Sequence, residues 1–253
     1  MNTAFTPAEV AAFERDGYVV ARGLTPAADC AHLRAIAQRD LAQAVPPLEY
    51  EADVRYPGAP ASRDAPGGHT ARRLLQACAR DPVFAHWATS APLAARLKQL
   101  LGPRVELSQA HHNCVMTKNP SHSSVTHWHR DIRYWEFTRE ELVSVWLALG
   151  RERPDNGCLL VLPGTHRMDF RDDQLDAAKF LRTDLPGNQP LLATQVAVEL
   201  DAGDVLFFHC RLLHAAGDNR TAETKFSVVF TYHAADNPPQ PGTRSAALPD
   251  LPV

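Results

Sequence analysis

Hydrophobic and polar positions follow two different rhythms along the chain. In roughly the first hundred residues the apolar positions recur near helical spacing, and each stretch carries a start signal. Thr6-Pro7-Ala8-Glu9 has the form of a capping box with proline at the first helical position, which predicts a helix to about Asp16. Thr25-Pro26 opens a second helix whose apolar residues Leu33, Ile36 and Leu41 fall close to one face. Ser90-Ala91-Pro92 opens a third, and Leu101-Gly102-Pro103 closes it. Between the second and third, the stretch from Pro46 to His69 is rich in Pro, Gly and Arg and predicts a long loop. Long loops of this kind either cover a site or run passively over the surface.

From Val105 onward the rhythm shortens. Apolar or alternating runs separated by Gly, Pro, Asn and Asp predict strands over Val105–Met116, Val125–Asp131, Val143–Leu149, Cys158–Leu162, Thr194–Leu200, Asp204–His209 and Lys225–Tyr232. Asp172–Leu181 reads as a helix inserted between strands. The expected fold is therefore mainly β with flanking α-helices, built on a double-sheet core of sandwich or jelly-roll type.

Length and composition narrow this picture. A chain of 253 residues suits one domain spanning 1–253. Within it, 1–104 supplies helical support with a lid loop at 46–69, 105–233 the jelly-roll core, and 234–253 a C-terminal tail. A net charge of −3 gives no electrostatic case for nucleic acid. The longest apolar runs are too short to span a bilayer, and the N-terminus lacks the layout of a signal peptide. Five widely spaced cysteines without a CxxC pair point to reduced, buried thiols and a cytoplasmic protein rather than a disulfide framework or structural zinc.

The candidate chemistry lies in the histidines. His127, His129 and Asp131 alternate along one expected strand, where side chains two apart share a face at roughly 7 Å. A His and an Asp on one face plus a distant His compose the 2-His-1-carboxylate triad of non-haem iron(II) oxygenases, which leaves coordination positions open. Spacing alone does not choose between His127 and His129. The second signal is Gly203-Asp204 followed by an apolar run to His209 and then His214, which puts an imidazole near a strand end. His209 and His214 compete there on composition alone.

Three blocks resemble the phytanoyl-CoA dioxygenase family: Trp128-His129-Arg130-Asp131; Val145-Trp146-Leu147-Ala148-Leu149 with Asn156-Gly157-Cys158 and Pro163-Gly164-Thr165-His166; and Gly203-Asp204 through His214 to Asn219. The resemblance implies a cupin-like double-stranded β-helix, with His129, Asp131 and His214 as both catalytic and metal residues. It implies iron(II), 2-oxoglutarate as cosubstrate and O2. The implied enzyme is a dioxygenase that hydroxylates a small metabolite and releases succinate and CO2. A retained Asp131 disfavours the halogenating relatives, which lack this carboxylate. The family's arginine for the far carboxylate of 2-oxoglutarate falls at Lys225, a departure that leaves Lys225 and nearby Arg220 as alternatives. Ser227, on the face of Lys225, could add a hydrogen bond. Trp146 and Cys114 align as pocket walls, Arg73 as a second cation, and Ala216 stands where a serine is common. Arg55, Arg63, Arg72 and Arg133 hint at an anionic small-molecule substrate. The alternatives are a non-catalytic cupin-like binding module and a jelly-roll enzyme using another divalent metal.

Overall fold

The computed structural model describes residues 3–54, 56 and 58–253. Arg55 lies outside the described residues. Six α-helices occur among them: α1 Pro7–Asp16, α2 Ala27–Ala42, α3 Ala77–Arg80, α4 Pro82–Ala88, α5 Ala91–Leu101 and α6 Gln189–Leu192. The strands are β1 Tyr18–Ala21, β2 Leu48–Tyr50, β3 Ala71–Leu75, β4 Val105–Lys118, β5 Thr126–His129, β6 Leu142–Ala148, β7 Leu159–Val161, β8 Val196–Ala197, β9 Val205–His209, β10 His214–Ala216, β11 Lys225–Ala234 and β12 Leu251–Pro252. The capping box is present: Thr6 Oγ1 accepts from the Glu9 amide, and the Glu9 carboxylate accepts from the Thr6 amide at 2.7 Å. No helix among the described residues is long and apolar enough to cross a membrane.

The strands form two antiparallel sheets. The major one runs β1-β9-β6-β11-β4-β3-β2 with β12 beside β4, and the minor one β5-β10-β7-β8. The alternation along β6 shows how the layers divide. Val143, Val145 and Leu147 face a core shared with Leu33 of α2, Phe84 of α4 and Leu97 of α5, whereas Trp146 and Ala148 face a second core between the sheets. Both faces of β6 and β11 are thus covered. That is why these central strands read as continuous apolar runs rather than alternating ones. The result is the expected jelly roll with helices packed outside.

Three expectations need correction. The stretch 46–69 is not all loop, because Leu48–Tyr50 forms β2 and pairs with β3 at Leu48↔Leu74 and Glu49↔Arg73. The segment 172–181 is not a helix. It has one 3-10 turn at Asp172–Gln174, and the Asp176 carboxylate accepts from the amides of Ala178 and Phe180, both at 2.9 Å. This side-chain capture of backbone donors competes with helical bonding, and Leu175 bridges back to Leu181. The strand expected to reach Asp131 ends at His129. β5 pairs with β10 at His129↔His214, and β10 begins there, so the ladder has no partner to continue on. Asp131 instead opens a 3-10 turn over Asp131–Tyr134.

Residues after β11 return to the sheet. β12 pairs with β4 at Leu251↔Leu107, Ser245 Oγ lies 2.7 Å from His111 Nε2, and Gln109 donates to the Pro249 carbonyl at 2.7 Å.

Candidate active site

The minor sheet brings the two distant histidines side by side. His129 ends β5 and His214 starts β10, directly opposite in register, with ring centroids 4.2 Å apart. Each ring is fixed by its own backbone: His129 Nδ1 donates to the His127 carbonyl at 2.8 Å, and His214 Nδ1 to the Leu212 carbonyl at 3.0 Å. Those bonds leave both Nε2 atoms aimed at Asp131 Oδ1, at 3.7 Å from His129 and 3.5 Å from His214. The three residues are buried, and their ligand atoms lie within 4.8 Å of one another. Lone pairs converging from two imidazoles and a carboxylate suit a cation between them, and the fixed Nδ1–H bonds are the outer-shell device that sets a ligating tautomer.

The remaining histidine candidates stay outside. His127 is exposed, and its contribution is the carbonyl that orients His129. His209 stacks near His166 at 5.3 Å and accepts from the Arg211 amide, and burial pushes it down to about 3.

Charge at the triad is uneven. Burial opposes ionisation of Asp131, but His112 and His214 overcome it and hold the carboxyl well below its usual range. Burial, with repulsion from His214, holds His129 well below the ordinary imidazole value, whereas attraction to Asp131 outweighs the burial of His214 and raises it.

His112 was not anticipated. Its Nε2 lies 3.1 Å from Asp131 Oδ1, and Ser144 donates to Asp131 Oδ2 at 3.2 Å, so the carboxylate is gripped at both oxygens. The available signal was period two: His112, Cys114, Met116 and Lys118 alternate along β4. His112→Ala is expected to weaken metal binding about 10–100-fold, the usual effect of losing an outer-shell partner. Titration of the metal-free protein with iron(II) or zinc checks this, and unchanged affinity would show that Ser144 alone orients Asp131.

Two cavities meet at His112, His129 and Asp131. The inner one runs between the sheets past Trp146, Lys118 and Lys225. The outer one, about 450 Å³, opens between the 46–69 segment and the tail, with Tyr56, Trp135, Arg244 and Leu248 on its walls.

The cosubstrate contacts implied by resemblance are only partly gathered. Lys225, Ser227 and Trp146 converge, but on a protein carboxylate. Glu152 Oε2 takes Lys225 Nζ at 2.9 Å, and Oε1 accepts from Ser227 Oγ at 2.6 Å and from Trp146 Nε1 at 3.0 Å. Arg220 stands away from the cavity: its side chain is 67% exposed and reaches Asp218 only at 4.0 Å. Arg73 lies on β3 between the two cavities, with Nε 3.5 Å from Glu49 and 3.3 Å from the Met116 sulfur. Cys114 borders the outer cavity, its thiol pushed up to about 11 by burial. Ala216 lines the inner cavity with its methyl.

The arginines suggested as anion contacts divide. Arg72 is buried against Ser124 and Thr126, at 2.7 and 2.9 Å. Arg63 pairs with Asp53 at the surface, and Arg133 lies over the Phe180 ring at 3.7 Å.

Comparison with known proteins gives the family and the fold. The chain is 29% identical over 245 residues to ectoine dioxygenase of Sphingopyxis alaskensis, covering 90% of this chain and 76% of that one. The crystal structure of EctD from S. alaskensis with 2-oxoglutarate and 5-hydroxyectoine superposes with a TM-score of 0.78 at 25% identity, over 95% of this chain and 80% of that one. The epimerase SnoN in complex with Fe3+, α-ketoglutarate and nogalamycin RO gives a TM-score of 0.75 at 25% identity, over 96% and 89%. The phytanoyl-CoA dioxygenase model matches residues 13–227, and the chain belongs to that family.

Proposed function

We infer that the protein is an iron(II)- and 2-oxoglutarate-dependent dioxygenase that hydroxylates a small metabolite, with His129, Asp131 and His214 as metal ligands. The observation that carries this reading is the pair of backbone-fixed imidazoles aimed at one carboxylate where two cavities meet. Iron(II) held by His129, Asp131 and His214 would, with 2-oxoglutarate and O2, supply the oxidant for a substrate C–H bond, one oxygen atom of O2 ending in succinate as CO2 is released and the other in the new hydroxyl. The protein's own part is to hold the three ligands together, offer cationic side chains along the inner cavity for the cosubstrate, and present the substrate through the outer one.

The outer cavity has the size of a metabolite site. Tyr56, Gln109, Asn113 and Arg244 give it polar walls, and Arg73 and Arg244 favour a polar or anionic substrate. An ectoine dioxygenase and an epimerase from nogalamycin biosynthesis among the similar proteins support a scaffold that serves small molecules of different kinds. A second reading, a binding module without turnover, draws on one observation: the cation expected to grip 2-oxoglutarate is already engaged by Glu152.

Anaerobic titration of the iron(II) protein with 2-oxoglutarate tests the proposal. The expected result is the weak visible metal-to-ligand charge-transfer band, lost in His214→Ala. Folded, iron-loaded protein that never gives the band would overturn it. A band without succinate formation across a panel of polar metabolites would favour the binding module.

A further inference from the structure

The inner cavity contains two lysines that face each other across one strand pair. β11 and β4 are antiparallel, with Lys225 opposite Lys118, Ser227 opposite Met116 and Val229 opposite Cys114. Side chains directly opposite in such a pair share a face with Cβ atoms about 5 Å apart, and like charges in that position repel. Both lysines are buried, at 6% and 8% exposure, and both line the inner cavity.

Their compensation is unequal. Lys225 has a full partner, since the wholly buried Glu152 satisfies its ammonium at 2.9 Å and is itself saturated by Ser227 and Trp146. That cluster is electrically neutral and closed, and a ligand carboxylate arriving there would meet Glu152 as a like charge. Lys118 forms no ion pair with any described residue, and its Nζ has one hydrogen bond, to the Ser124 carbonyl at 2.9 Å. The buried carboxylate that attracts it, Glu51, is bound to the Ser124 hydroxyl at 2.6 Å and lies 3.5 Å from Arg72. Burial, with repulsion from Arg72 and Lys225, pushes the Lys118 ammonium down to about 7. Local structure holds it in place: the Asn219 side chain binds its carbonyl at 2.8 Å, and Gly157, at φ +73°, passes so close that a Cβ there would stand 2.7 Å from Lys118 Cδ.

A buried lysine that forms no ion pair with a described residue, lining a cavity that the triad also lines, is placed to take an anion, whose arrival would hold it in its charged form. We propose that Lys118 anchors the distal carboxylate of the 2-oxo acid cosubstrate, and that Lys225 is a structural cation committed to Glu152. This rests on the dioxygenase reading above and replaces Lys225, the position indicated by family resemblance, as the cosubstrate's cationic partner.

The test is binding, not turnover. Iron(II)-loaded protein is titrated without oxygen against 2-oxoglutarate and against 2-oxopentanoate, which keeps the chelating end and chain length but lacks the distal carboxylate. Wild-type protein should prefer 2-oxoglutarate. Lys118→Met should lose about 10- to 100-fold of 2-oxoglutarate affinity, the range of a charge-assisted hydrogen bond, with 2-oxopentanoate unchanged. The double variant Lys225→Met/Glu152→Leu, which removes the neutral pair together, should keep the preference. The proposal is overturned if Lys118→Met retains the preference, if the double variant loses it, or if wild-type protein binds both acids equally. Wild-type protein that binds neither acid overturns the dioxygenase reading, and this assignment with it.

Discussion

Asp131→Ala is expected to abolish 2-oxoglutarate-coupled turnover, by well over the roughly 100-fold typical of an outer-shell loss. The carboxylate is the only anionic member of the triad, and its Oδ1 is the atom both imidazoles face. Alanine would leave two neutral imidazoles and free the grips of His112 and Ser144. The fold should survive, because Asp131 sits in a short turn rather than in a sheet ladder, and the turn keeps its bond from the Ile132 amide to the Cys210 carbonyl at 3.1 Å. Succinate formation and iron content, measured on protein whose melting is close to wild type, decide it. Full activity in that variant would sink the ligand assignment.

The second large effect is on stability. Lys225→Met should destabilise the protein by about 3–5 kcal/mol, because Glu152 would remain wholly buried without its counter-charge. For a chain of this size that corresponds to a melting temperature lower by roughly 6–20 °C. Removing both charges in Lys225→Met/Glu152→Leu should recover most of the loss, since apolar replacement of a buried pair is often neutral. Thermal melts of the two variants against wild type measure this. A single variant as stable as wild type would mean that Glu152 does not depend on Lys225 for its counter-charge.

How much of this was legible in the sequence depends on how local each feature is. The α1 cap was readable because all its atoms belong to four consecutive residues. Strands β4, β6, β9 and β11 were readable because burial on one or both faces leaves an apolar pattern. The short strands β1, β2 and β3 were missed: three to five residues carry too little periodicity, and β1 is defined only by pairing with β9, far along the chain. In the site, family resemblance singled out His129 and His214, and the geometry brings both to Asp131. Glu152 was invisible for the opposite reason. A glutamate amid arginine and proline reads as surface, and what buries it is a lysine 73 residues away. Lys118 looked like the polar end of a strand, although it continues the alternation of Cys114 and Met116 toward the cavity.

The outer cavity wall has a consequence for synthesis. Arg244 and Leu248 belong to a segment that returns to β4 only after β11 is complete. A nascent chain made as far as Ala234 already contains all three triad residues and both sheets except β12, yet lacks one side of the substrate chamber. Chains emerge from N- to C-terminus over many seconds. Until that segment is in place the triad would face solvent across an open flank, so the order in which the parts appear leaves it open to a metal ion before the chamber wall forms.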